Sequence, residues 1–158
     1  MPSTTNKARL KIRQVAAQLD IAVETIRMYE REGLLLPAKT ASGQRWFEAS
    51  DLHWLGCLRR LIKEQGLNLA GIRRLLALMP CWDLKPCSPT ERESCPAYLG
   101  EKQPCWMMKA RLPQVCQAAD CRSCLVYQNA SHCENLKTLL QKNAKRNQES
   151  YGRIILTT

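Results

Sequence analysis

Residues 10–35 read LKIRQVAAQLDIAVETIRMYEREGLL, and the placing of their apolar residues decides the fold. Val15, Ala16 and Leu19 recur at helical spacing and predict a first short helix. Asp20 stands where the chain must turn, and aspartate tolerates left-handed backbone better than most residues. A second helix is expected from about Val23 to Arg31, with Ile26 and either Tyr29 or Glu30 inward and Gly33 as its C-cap. Two helices of this size joined by a short turn make a helix-turn-helix.

The pattern continues outward in LLLPAKTASGQRWFEASD, residues 34–51. Pro37 stops helix formation, and Ser42-Gly43 is a turn signal between short flanks. That predicts a two-stranded wing carrying Lys39 and Arg45. Ser50 is the expected N-cap of a third helix, with Leu52, Leu55, Leu58, Leu61 and Ile62 as its apolar stripe. Gly66 breaks the chain, and a fourth helix follows with Leu69, Ile72, Leu75 and Leu76 inward. Cys57 falls inside the third helix, where an inert buried thiol is expected.

TIRMYEREGLL, GQRWF, SDL and GLNLAGIRRLL, in that order, closely resemble the DNA-binding domain of the MerR family of transcriptional regulators. The NLAGI segment is similar to the heat-shock repressor branch of that superfamily. The resemblance covers residues 11–79, half of the 158-residue chain. It implies that Thr25 and Arg27 are recognition-helix residues that meet DNA, that Tyr29 contacts phosphate, and that Arg45 is the wing arginine. Lys39 lies at the basic position before the wing turn. It further implies a homodimer on double-stranded promoter DNA, with RNA polymerase as a partner there. The chain departs from the family at Ala22, which replaces the usual capping Ser, and at Asp20, which replaces a turn Gly. Met28, Gln44 and Phe47 stand where the family has tyrosines, and the latter two change particular wing contacts.

The net charge of +10 fits a polyanionic partner. No apolar run approaches a membrane span, and the polar, basic N-terminus has no signal-peptide core, so a cytoplasmic protein is expected. That expectation changes the meaning of the nine cysteines. In a reducing compartment, clustered thiols are more often metal ligands or redox centres than disulfides.

Eight of the nine follow residue 80: Cys81, Cys87, Cys95, Cys105, Cys116, Cys121, Cys124 and Cys133. Prolines at 86, 89, 96, 104 and 113 forbid the long dimerisation helix that usually follows in the family. Cys121-x-x-Cys124 has the spacing that lets one turn supply two ligands, and with Cys116 and Cys133 it makes a compact four-thiolate set. Cys81, Cys87, Cys95 and Cys105 are a second possible set. The two Cys-Trp pairs, at 81–82 and 105–106, are similar to a small bacterial module named for such pairs. Four late cysteines also resemble the redox-sensing branch of the MerR family, which holds an iron–sulfur cluster, although the spacing here is not that branch's. Four thiolates suit an iron–sulfur cluster or, alternatively, zinc. Trp82 and Trp106 are expected to pack this region, with a short helix over WMMKARL and a later one over residues 134–150.

The chain is therefore expected to be mainly α. A winged helix-turn-helix domain over residues 1–79 precedes a cysteine-rich metal or cluster module at 80–133 and a short helix and tail at 134–158. The expected function is a dimeric DNA-binding regulator that senses redox state or metal. A repressor with a purely structural zinc site is the alternative, and an electron-transfer protein a remoter one. No paired carboxylates, nucleophile–base arrangement or phosphate loop point to an enzyme.

Overall fold

In the computed structural model, which describes residues 8–85, 87–132 and 138, the chain divides into two compact units, Met1–Ile72 and Arg73–Thr158. It is mainly helical with one small sheet.

The first unit opens with α1 (Ile12–Leu19), which buries Val15 and Ala16. Asp20 turns the chain at φ 52 and ψ 52, in the left-handed region. Next comes α2 (Val23–Arg31), burying Ile26 and Tyr29. Its start has no side-chain cap, as Ala22 implies. Its end is a Schellman motif: the Gly33 amide donates to the Glu30 carbonyl (3.0 Å) and the Leu34 amide to the Tyr29 carbonyl (2.9 Å). Gly33, at φ 73, supplies the left-handed residue this closure needs.

Strands β1 (Ala38–Lys39) and β2 (Arg45–Trp46) pair antiparallel, with Ala38 opposite Trp46 and Lys39 opposite Arg45. Gly43, at φ 82, makes the tip. Leu10 forms a bridge with Phe47 through two 2.9 Å backbone hydrogen bonds, which ties the N-terminal segment to the base of the wing.

Helix α3 (Ala49–Lys63) begins one residue before the expected cap. Glu48 is the N-cap residue, and its amide donates to the Asp51 carboxylate at 2.8 Å, so Ser50 lies inside the first turn. The buried face also differs from the expected leucine stripe. Leu55 and Leu58 are buried with Trp54 and Cys57, while Leu52, Leu61 and Ile62 are half-buried. Trp54 wins its place because its ring is large and its indole N–H finds the Leu34 carbonyl at 2.7 Å. Arg59 donates to the Leu19 carbonyl and so satisfies the C-terminal end of α1. Cys57 is buried as expected but is disulfide-bonded, not a free thiol.

Helix α4 (Leu69–Ala77), after Gly66 at φ 69, buries Ile72 and Leu76. The unit boundary falls within it.

The second unit is built from short helical pieces punctuated by proline. They are α5 (Cys81–Leu84), α6 (Pro89–Glu93), α7 (Pro96–Leu99), α8 (Gln114–Gln117) and α9 (Leu125–Ala130). The helix expected over WMMKARL is instead two 3-10 turns, Cys105–Met107 and Lys109–Arg111. The core is small: Met108, Leu112, Val126, Tyr127 and Ala130, with Trp106 edge-on to Tyr127 at 5.2 Å. Trp82 meets Tyr98 the same way at 5.1 Å. Both tryptophans thus pack this unit. The helix expected at 134–150 lies outside the described residues, apart from helical Thr138.

Candidate functional site

In the first unit, α2 and the wing present the residues expected to meet DNA. Thr25 is half-buried in the first turn of α2, where free backbone N–H groups favour anions. Arg27 is exposed and donates to Glu24 at 2.6 Å, while Arg31 lies 3.9 Å from the same carboxylate. Arg45 donates to Glu30 at 2.5 Å, and the Lys39 ammonium is 3.7 Å from the other Glu30 oxygen. Glu30 therefore fastens both strands of the wing to α2, and its hydrogen bond holds the Arg45 guanidinium above its ordinary range. Tyr29 differs from the other four: it is 4% exposed and serves the core. Burial raises its phenol pKa, with Arg59 acting weakly against that.

Sequence reasoning missed both carboxylates. It placed Glu30 as a possible inward residue, and its spacing from Lys39 and Arg45 gives no local sign of the contact. It also missed Arg9, whose guanidinium stacks over the Trp46 ring at 4.4 Å and extends the basic surface beside β2.

In the second unit, seven thiols from separate short elements line one cavity: Cys81, Cys87, Cys95, Cys105, Cys116, Cys121 and Cys124. The rest of the lining is apolar (Ala97, Leu112, Pro113, Ala119 and Val126) except for Lys85. All seven are free thiols. The two sets proposed from spacing are thus brought to a single place, with Cys133 outside the described residues. The Cys121–Cys124 turn forms as its spacing implies, with the Cys124 amide donating to the Cys121 carbonyl at 3.2 Å. Asp120 holds that turn by accepting from the Ser123 hydroxyl (2.8 Å) and amide (3.2 Å). Lys109 donates to the Ala119 carbonyl at 2.7 Å. Arg92 donates to the Cys87 sulfur at 3.4 Å.

Burial and the neighbouring thiols raise the pKa of four of these thiols, Cys81, Cys105, Cys116 and Cys121. Burial pushes Cys81 up to about 12, and the neighbouring thiols add to the shift. Cys105 is raised by the same causes. Cys116 and Cys121 are raised chiefly by burial, against which Lys85 acts at Cys116 and Lys109 and Lys85 at Cys121. A bound metal reverses this balance, because it takes thiolates and releases their protons.

The donor set is soft and suits zinc, copper or iron–sulfur chemistry in preference to magnesium or calcium. A single tetrahedral zinc, at about 2.3 Å from each sulfur, needs thiols within about 4 Å of one another. Among the described residues no three His, Cys, Asp or Glu side chains converge closely enough for one ion. The cavity holds about 40 Å³. A water-sized body needs ~10–15 Å³ on the same scale, so there is room for more than one ion.

Among the described residues no helix is long and apolar enough to cross a membrane. Residues 10–78 match the family described as MerR HTH family regulatory protein. Over 65 residues the chain is 42% identical to the putative heat shock protein HspR of Streptomyces coelicolor, covering 40% of this chain and 43% of that one. Over 58 residues it is 34% identical to the HTH-type transcriptional regulator GlnR of Bacillus anthracis and that of Bacillus cereus, covering 37% of this chain and 44% of each. The chain spans less than half the length of these curated relatives. No solved structure matches it significantly. The family match includes the helix-turn-helix and wing and stops before Cys81, so residues 10–78 form a MerR-family helix-turn-helix domain.

Proposed function

We propose that the chain is a cytoplasmic, DNA-binding transcriptional regulator, not an enzyme, whose output follows the state of an iron–sulfur centre held in the thiol cavity. The observation that carries this reading is the joining, in one chain, of a MerR-family domain to seven thiols that line one cavity. The printed names of the relatives, a putative heat shock protein and transcriptional regulators, support the regulatory half. A net charge of +10 and the exposed Arg27, Lys39 and Arg45 support binding to a phosphate backbone. Thr25 and Arg27 read the major groove from α2, and Lys39 and Arg45 reach the flanking backbone from the wing. Tyr29, 4% exposed, supports α2 from the core beneath these residues. The protein acts as a homodimer, because two-fold symmetry lets two recognition helices reach successive major grooves, and it works with RNA polymerase at the promoter.

The ligands are drawn from Cys81, Cys87, Cys95, Cys105, Cys116, Cys121 and Cys124; Cys133, expected from spacing as a fourth ligand beside Cys116, Cys121 and Cys124, lies outside the described residues. What supports a thiolate-held centre is the thiol arrangement: among the described residues, seven cysteines line one cavity with room for more than one ion. Such a centre supplies one-electron redox chemistry at a potential set by its surroundings. The residues around it exclude water and hold the sulfurs in a low-dielectric site.

Selection of bound DNA fragments from a genomic library, followed by transcription in vitro from the recovered promoter, tests the reading. The expected result is a near-palindromic site and a transcript level that changes when the loaded protein is oxidised or stripped. Recovery of no specific site, or equal transcription from loaded and stripped protein, would contradict it.

A further inference from the structure

Among the described residues, thirteen line the thiol cavity, and Lys85 is the one charged residue of them; the other twelve are cysteines or apolar. Its backbone is fixed between two of the cysteines. The Lys85 amide donates to the Cys81 carbonyl at 2.9 Å, and the Cys87 amide donates to the Lys85 carbonyl at 2.9 Å. Lys85 ends α5 with extended backbone, φ −123 and ψ 140. Of the neighbouring cations, Lys109 donates to the Ala119 carbonyl, and Arg92 donates to the Trp82 carbonyl and to the sulfur of Cys87. Among the described residues no carboxylate lies within ion-pair distance of the Lys85 ammonium. Lys85 is half-buried as a residue, and its charge acts on the Cys116 and Cys121 thiols; a cation beside an apolar cavity is best placed where negative charge faces it. The groups able to provide that charge here are the thiolates of a held centre.

We infer that Lys85 is a positioning residue for the centre's charge: its ammonium offsets the negative charge of the thiolate-held centre and raises its reduction potential. This rests on the reading of the cavity as an iron–sulfur site. One electron enters from a one-electron donor, which is oxidised, and no bond or proton changes hands. The site then carries one more unit of negative charge. Lys85 stabilises that more negative state, because its interaction with the site grows with the charge it faces. Neutralising Lys85 therefore disfavours reduction.

The test uses the full chain, isolated and reconstituted without oxygen, as wild type, Lys85→Met, Lys85→Gln and Lys85→Arg. Iron and sulfide per chain are measured, together with the midpoint potential against mediator dyes. The neutral variants should keep their iron and shift the reduction equilibrium toward the oxidised state by about ten-fold, which is about 59 mV for a one-electron couple. Lys85→Arg should restore the wild-type value. Should both neutral variants lose iron while Lys85→Arg keeps it, the charge is needed to assemble the centre, which supports the same role. Equal potentials in wild type and neutral variants at full iron content overturn the inference alone. So does loss of iron from the arginine variant together with the neutral ones, since shape would then matter and charge would not. Wild-type protein with no iron and no sulfide overturns the iron–sulfur reading, and the inference with it.

Discussion

The two units stabilise themselves by different means. The first buries large side chains on regular helices: Trp54, Phe47, Ile26, Leu34, Leu35, Leu55 and Leu58 are each almost fully enclosed. At about 1.5–3 kcal/mol for each fully buried apolar side chain, such a core holds a fold by itself. The second has helices of four to six residues, too short for stability on their own. It points seven thiols at a cavity that a conventional core would fill with carbon. The first unit is held by its core, whereas the second has little core, and the proposed centre would supply what it lacks.

The largest effect expected from that contrast is on the second unit. Removal of the centre by chelation under mild oxidation should leave residues 81–132 without protected amides. A structural metal contributes on the order of 10 kcal/mol to such a fold. Residues 10–78 should keep their protection in the same sample. Hydrogen exchange resolved by segment checks both halves, and equal protection before and after removal would show that the second unit has a self-sufficient core.

The converse experiment attacks the first unit. Trp54→Ala removes a buried ring and leaves the Leu34 carbonyl without its 2.7 Å donor. The expected loss is about 3–5 kcal/mol in that unit, with the cavity's iron content unchanged. Trp54→Phe, which keeps most of the ring but not the hydrogen bond, should cost less. Segment-resolved denaturation reads both.

Smaller effects belong to the DNA-facing charges. Arg27→Ala and Arg45→Ala should each flatten the log–log salt dependence of binding by about 0.9 while the fold survives. Glu24→Gln should act in the opposite direction, because Arg27 no longer shares its charge with an exposed carboxylate. Exposed pairs of this kind are worth only about 0.2–1 kcal/mol, so the gain in affinity is modest. Titrations of operator DNA at several salt concentrations decide the matter. Unchanged slopes in both arginine variants would move the interface elsewhere.

The smallest effect is an alkaline one. Burial raises the Tyr29 phenol, so its contribution to stability is whole below the unfolded pKa of about 10 and is lost as pH rises through the folded value. Melting temperatures from neutral to alkaline pH should fall more steeply for the wild type than for Tyr29→Phe.

The same contrast explains what could be read from the sequence. Helix α1 was legible from its apolar spacing and α2 with its approximate bounds, because apolar spacing, a left-handed Asp20 and Gly33 are local signals. Trp54 was not, since its burial depends on the Leu34 carbonyl twenty residues away. Glu30 escaped for the same reason, as it meets Arg45 only after the wing folds back onto α2. In the second unit, prolines marked where helices end, but cysteine spacing along the chain does not report where the sulfurs meet. The Cys121–Cys124 turn was visible because it is local. The meeting of Cys81 and Cys105 with Cys116 was not, because it depends on the packing of five short helices.

The central claim, one centre in one cavity, is tested most directly by counting iron, sulfide and zinc per chain in protein isolated without oxygen. A single iron–sulfur centre predicts iron and sulfide in equal amounts, at most about four of each. About eight of each would mean two separate four-cysteine centres, and zinc in place of iron would mean a single-ion site; either result would contradict the account.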